Sequence, residues 1–313
     1  MVLEVRPLDA PLGALVHGWD PTTELSAADE NAIRQGLAAR QVLVFRGQAQ
    51  PTDQQLVRFA YRFGKLIKGS EWFGDIDPVA EILRVNNLID ADGTPEGTGA
   101  SASLEWHADY SYVSTVGKES FLEAVEIPTK IRPQTCFNSQ YAAFERLPHA
   151  MREMLRPLSA FHSVTGYVTG TDDNGVSDTS HAATEFRKEF KAKKERNRQR
   201  GESRPPIPVA EHPVILRHPD TGREILYVSK GITRYIVGMP RDESNDLLKQ
   251  LTTHSTRPEY VYAHDWQVGD LVMFDTLGTV HRRDAWDPSE RRVMRQLSTL
   301  WSPPAHPHSV AAE

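Results

Sequence analysis

The apolar residues of this chain come in short, turn-bounded runs, and that limits the folds open to it. Gln41-Val42-Leu43-Val44-Phe45 is closed by Gly47, and Leu271-Val272-Met273-Phe274 follows Gly269-Asp270. Val214-Ile215-Leu216 is separated from Ile225-Leu226-Tyr227-Val228 by Asp220-Thr221-Gly222, which reads as a hairpin turn. Runs of this length suit buried strands and are too short for helices that bury a face. Further strands are expected at 80–85, between 119 and 139 around Pro128 and Pro133, and at Val261-Tyr262. Helices are expected where capping residues precede helical periodicity. Ser26 with Asp29 and Glu30 opens one carrying Ile33, Leu37 and Ala38. Thr52-Asp53 opens a second carrying Leu56, Val57, Ala60 and Phe63, ended by Gly64. A third is expected over about 141–155, and a fourth, opened by Asp242 and Glu243, carries Leu247, Leu248 and Leu251. Strands at this spacing, with helices at the N-terminal end and in insertions, predict a mainly β protein with flanking helices around a sandwich or barrel core. One domain is expected to span 1–313.

Composition excludes several function classes. A mean hydropathy of −0.49 with 25% charged residues fits a soluble globular chain rather than a disordered one. No apolar run approaches the roughly 18–20 residues that span a bilayer, and the N-terminus lacks a basic segment followed by an apolar one. A cytoplasmic protein is expected, with no membrane partner. Cys136 stands alone and so forms neither an internal disulfide nor a thiolate cage. A net charge of −6 gives no general reason for a nucleic-acid partner. Residues 90–103, rich in Gly, Asp, Ser and Pro, read as a mobile loop. The segment 165–211 reads as an insertion. It begins with Gly, Asp, Thr and Ser, and passes through 187–204, which carries nine Lys or Arg against three Glu. It ends at Pro205, Pro206 and Pro208. A solvated helix face is the first reading of the charge run. A lid over an active site is the functional one, and a nucleic-acid patch is weakened by the scarcity of interleaved aromatics. The chain is expected to form a homo-oligomer.

Three features stand out among the twelve histidines. Trp106-His107-Ala108-Asp109 holds a His-x-Asp pair, and on a strand residues i and i+2 face one side. His281 follows the 271–274 run and a Leu277-Gly278-Thr279 turn, and Arg291-Arg292 lies about ten residues further on. Two imidazoles and one carboxylate on one octahedral face leave three positions open, the facial triad of non-haem Fe(II) oxygenases. A His-x-Asp pair alone arises by chance. The companion arginine shifts the balance, because a dicarboxylate chelating the iron needs a fixed cation at its far end. The other histidines, such as His162, His212, His218 and His264, read as surface or structural.

These features resemble the taurine dioxygenase and 2,4-dichlorophenoxyacetate dioxygenase family. The resemblance begins at Arg6-Pro7-Leu8, Gly13-Ala14 and Gly18. It continues through 41–46, Arg62-Phe63-Gly64, Trp106-His107-Ala108-Asp109, Glu126-Ile127-Pro128, His212-Pro213-Val214 and Trp266-Gln267-Val268-Gly269-Asp270. It closes with His281 and Arg291-Arg292-Val293-Met294. It implies a double-stranded β-helix, or jelly roll, with Fe(II) at the open mouth on His107, Asp109 and His281. It also implies 2-oxoglutarate held by Arg292 and by Thr135, which reads equally well as an ordinary strand residue. Dioxygen is the third reactant, and succinate and CO2 are released. Asp109 argues against the related halogenases, which have a small residue there. Hydroxylation is expected, with desaturation or ring formation open. A silent iron-binding regulatory protein is the competing class, and retention of the cosubstrate arginine argues against it.

The resemblance also bears on the small-molecule substrate. Four residues beyond the cosubstrate arginine the family places a second arginine that clamps the substrate's anion; here the residue is Gln296. Arg295 beside it should face the other way. Ser103, Ile232, Trp72 and Phe73 fall at substrate-wall positions, and Tyr110 and Tyr112 flank the metal motif, although such aromatics are more often core. A neutral or mainly apolar secondary metabolite is expected, with Gln296 donating to a carbonyl or hydroxyl; an acid bound differently is the second choice.

Overall fold

Every residue of the strand Val42–Phe45 is buried, because its sheet is covered on both faces. Successive strand side chains point to opposite sides. Leu43 and Phe45 meet Ile33 and Leu37 of the helix Ala27–Arg40 and Leu56 and Phe59 of the helix Asp53–Tyr61. Val42 and Val44 enter an inner cluster with Leu122, Phe137 and Trp266. The neighbouring strand Leu271–Asp275 divides alike, Leu271 and Met273 toward the helices and Val272 and Phe274 inward. This is why both segments read as unbroken apolar runs.

The structure is a computed structural model that describes residues 3–73, 79–99, 101–164 and 181–301. Its larger sheet runs in the order Glu4–Pro7, Ala14–His17, Val42–Phe45, Leu271–Asp275, Gly117–Glu126, Val293–Leu300 and Lys65–Leu66, with Leu83–Asn86 also paired to Val293–Leu300. A four-stranded sheet runs Val261–His264, Thr135–Ser139, Thr279–Arg283, Leu104–His107. Among the described strand pairs of these two sheets, Ala14–His17 beside Val42–Phe45 is parallel and the others are antiparallel. Several neighbours are distant in sequence, as where Leu271–Asp275 lies between Val42–Phe45 and Gly117–Glu126. The sheets meet where Phe137 of the smaller packs on Phe274 of the larger, ring centroids 5.2 Å apart. This is the expected jelly roll. No helix among the described residues is long and apolar enough to cross a membrane.

Several local expectations change. The helix expected over 141–155 is two helices, Gln140–Glu145 and His149–Leu155, because Pro148 between them lacks an N–H and its ring blocks the preceding turn. Ala38 is exposed, so the first helix buries a narrower face. The strand expected at 80–85 runs Leu83–Asn86. The loop after it, expected to be mobile, is laced back onto that strand. Thr98 N–H donates to the Arg84 carbonyl, and Asn86 Oδ1 accepts from the N–H groups of Leu88 and Gly97. A Cβ at Gly97 would lie 2.6 Å from both of those oxygens' residues, Arg84 O and Asn86 Oδ1, so only glycine allows the approach. The hairpin reading holds: Ile215–Arg217 pairs with Glu224–Leu226, and Gly222 takes φ +68° in the turn.

The charge run is not a simple solvated face. It lies mostly on the helix His181–Gln199, where Lys193 and Arg196 are buried and Arg196 pairs with Asp90 of the 87–99 loop. The first part of the expected lid, 165–180, lies outside the described residues, as do His306 and His308.

Arg295 points away from the inner core, as strand alternation requires. It hydrogen-bonds Glu123 and Asp53, each at 2.5 Å, and the Pro51 carbonyl. Glu123 is fully buried. Glu123→Ala leaves a buried guanidinium short of a partner and is expected to cost about 3 kcal/mol of stability, read from urea unfolding. A loss below about 1 kcal/mol, the range of exposed pairs, would contradict this.

Candidate active site

Strand register brings two of the three expected metal donors together. His107 ends the strand Leu104–His107 and lies directly opposite His281 of Thr279–Arg283. Their ring centroids are 4.1 Å apart. Asp109 arrives differently. It lies past the end of the strand, in a turn where Tyr110 takes φ +55°, so turn geometry rather than strand alternation delivers the carboxylate. Asp109 Oδ1 is 3.5 Å from His107 Nε2, and Oδ2 is 3.7 Å from His281 Nε2. One donor atom from each residue falls within a 4.8 Å cluster.

The donor set fits a divalent cation. His107 Nδ1 lies 2.7 Å from the Glu105 carbonyl, so it carries the proton and leaves the Nε2 lone pair facing Asp109. Burial, then the neighbouring His107, pushes His281 well below its ordinary range, which keeps the ring neutral and able to ligate. Burial raises the Asp109 carboxyl, against the lowering effects of His107 and Gln296. A carboxylate disfavoured by desolvation, with two imidazole nitrogens beside it, is a site that a cation relieves. Two nitrogens and one oxygen with open positions suit Fe(II).

Arg292 is 1% exposed, its guanidinium 5.4 Å from the Trp286 ring. Its Nε and Nη1 have no hydrogen-bond partner among the described residues. Burial pulls its pKa down to about 10, so the group stays a cation at neutral pH. An inward cation with unspent donors fits the far carboxylate of a dicarboxylate. Sequence reasoning missed Arg283, which is also buried, lies 4.5 Å from the Trp286 ring and donates to the Ala102 carbonyl. Its position two residues beyond His281 on one strand was the available signal. Thr135 is buried on Thr135–Ser139, opposite Arg283, and its hydroxyl accepts from Trp266 Nε1 at 3.0 Å. That bond leaves the hydroxyl proton free to donate.

A cavity of about 150 Å³ opens beside the triad. Phe73, Ile232 and Gln296 line it as expected, with Leu83, Val85 and Phe186, the last from the helix His181–Gln199. Tyr110 and Tyr112 also line it. Two expected wall residues do not. Ser103 is exposed, and Trp72 packs on the outer sides of Tyr110 and Tyr112 at 6.1 and 6.2 Å, facing a neighbouring groove. Gln296 is also more than a wall: its Nε2 donates to Asp109 Oδ2 at 2.6 Å, so one of its two N–H groups is engaged by the carboxylate.

The profile of the taurine catabolism dioxygenase TauD, TfdA family matches residues 4–298. The chain belongs to this family. It is 37% identical over 312 residues to a pentalenolactone F synthase of Streptomyces arenae, covering 99% of each chain. It is 29% identical to an alpha-ketoglutarate-dependent 2,4-dichlorophenoxyacetate dioxygenase of Cupriavidus pinatubonensis, covering 96% of this chain and 98% of that one. Among solved structures, a taurine dioxygenase from Burkholderia xenovorans superposes with a TM-score of 0.72 at 26% identity, over 97% of this chain and 91% of that one. The structure of AAD-2 in complex with Mn(II) and N-oxalylglycine gives 0.72 at 25% identity, over 98% and 100%. The TauD/TfdA enzyme described here is an Fe(II)- and 2-oxoglutarate-dependent dioxygenase acting on a small molecule.

Proposed function

We propose that this dioxygenase oxidises, most simply by hydroxylation, a C–H bond of a neutral or mainly apolar secondary metabolite. The observation that carries the reading is the cavity wall: beside the triad it is built from Phe73, Leu83, Val85, Phe186 and Ile232, with no lysine or arginine among the described lining residues. Relatives named pentalenolactone F synthase support a natural-product substrate. In this reading His107, Asp109 and His281 hold Fe(II), and Arg292, with the Thr135 hydroxyl, holds 2-oxoglutarate. When bound, these supply C–H oxidation by dioxygen with succinate and CO2 as coproducts. The chain supplies the rest. The Glu105 carbonyl fixes the His107 tautomer, the Arg292 guanidinium orients the cosubstrate, and the apolar walls exclude water and direct one substrate carbon toward the triad.

Anaerobic addition of Fe(II) and 2-oxoglutarate is expected to produce a weak visible charge-transfer band that requires both. Taurine and simple phenoxyacetates are expected to be poor substrates. Burying a small anion without a cationic partner is costly, and Arg295, next to Gln296 in sequence, is already bound to Glu123 and Asp53. Succinate released per substrate oxidised, compared across taurine, phenoxyacetates and neutral candidates, decides between the classes. Tightly coupled, efficient taurine turnover would refute the reading.

The segment 165–211 is proposed as a lid. Support comes from Phe186 on the cavity wall and from the Arg196–Asp90 pair that docks its helix on the 87–99 loop. Hydrogen exchange in this segment is expected to slow when substrate joins the enzyme loaded with metal and 2-oxoglutarate. Unchanged exchange at saturating substrate would leave it a static wall.

A further inference from the structure

Gln296 sits on Val293–Leu300, the strand on which Arg295 faces outward to Glu123. Alternation therefore sends Gln296 inward. Its amide nitrogen reaches Asp109 Oδ2 at 2.6 Å, a bond to a charged acceptor of the stronger kind. An ionised carboxylate only accepts, so the amide must present its NH2 end, and the orientation of the side chain is settled by chemistry. The two Asp109 oxygens are thereby made unequal. Oδ2 is engaged by Gln296, while Oδ1, 3.5 Å from His107 Nε2, accepts no other hydrogen bond among the described residues. A carboxylate with both oxygens free can take a metal through both, which would use one of the three coordination positions the reaction needs.

We propose that Gln296 is a positioning residue for the metal carboxylate, holding Asp109 to one-oxygen ligation through Oδ1 and so keeping a coordination position open. At this position the side chain thus serves the metal, and substrate recognition falls to the apolar wall. The inference rests on the assignment of His107, Asp109 and His281 as the metal ligands.

The test uses full-length protein and Mn(II) or Co(II) alone. Gln296→Met keeps the length of the side chain and removes the donor. Mn(II) affinity, followed through the electron paramagnetic resonance signal of the free ion, is expected to fall by about ten- to a hundredfold. The visible d–d spectrum of the Co(II)-loaded variant is expected to change as the carboxylate gains freedom. Leu300→Ala, further along the same strand, is expected to change neither. Both effects must appear in Gln296→Met and be absent from Leu300→Ala; if either is missing, the proposal is overturned. Gln296→Asn, read in the same way, replaces Gln296→Met if that variant does not fold. Asp109→Ala is measured beside them, and wild-type Mn(II) affinity in that variant would overturn the ligand assignment itself.

Discussion

Asp109→Ala is expected to abolish turnover, and His107→Ala and His281→Ala are expected to do the same, with the jelly roll intact. Each variant removes one of three donors gathered within 4.8 Å, and the remaining two cannot define an octahedral face. The fold should survive because none of the three anchors the core. The strand Thr279–Arg283 is held by its ladder to Thr135–Ser139, and Leu104–His107 by its ladder to Thr279–Arg283, backbone pairings that alanine leaves in place. Alanine at 109 also removes a desolvated carboxylate whose burial already raises its pKa, so the metal-free variant has no new buried charge to accommodate. Succinate formation, metal content and circular dichroism measured together check the prediction. Near-native succinate formation in any one variant would remove that residue from the ligand set.

Arg292→Ala is expected to weaken 2-oxoglutarate binding by about 2–5 kcal/mol, roughly thirty- to several-thousandfold, with little change in metal affinity. The guanidinium is buried, and its Nε and Nη1 are unspent among the described residues. Arg283, against the same tryptophan, is a second cation that could soften the loss. Comparing Arg292→Ala with Arg292→Lys separates charge from geometry. Lysine keeps the cation but loses the planar fork, so it should recover only part of the affinity. Equal loss of metal and cosubstrate would indicate misfolding, and an unchanged cosubstrate affinity would end the assignment of Arg292.

Much of this was legible in the chain. The runs at 41–45 and 271–274 read as strands, and Ser26 and Thr52 cap helices as expected, Thr52 within a full capping box. Pro148 was legible too, and reading past it cost the third helix its break. The burial of Lys193 and Arg196 was not legible, because a run of like charges looks the same whether it faces water or docks through an ion pair to Asp90. Ser103 and Trp72 failed as wall residues for a related reason: closeness in sequence to a motif does not say which way a loop or short helix turns its side chains.

The amino-acid sequence alone determined the donor types, the arginine beyond them and the strand-forming runs, because each depends on residue chemistry or on periods of a few residues. Only the tertiary structure decided which groups those donors touch. His107 and His281 face each other through register across two strands, and Asp109 joins them through a turn at Tyr110. Gln296 meets Asp109 because the strand Val293–Leu300 directs that side chain into the same pocket. Contacts between residues so far apart in the chain are set by sheet pairing and packing, and no local pattern carries them.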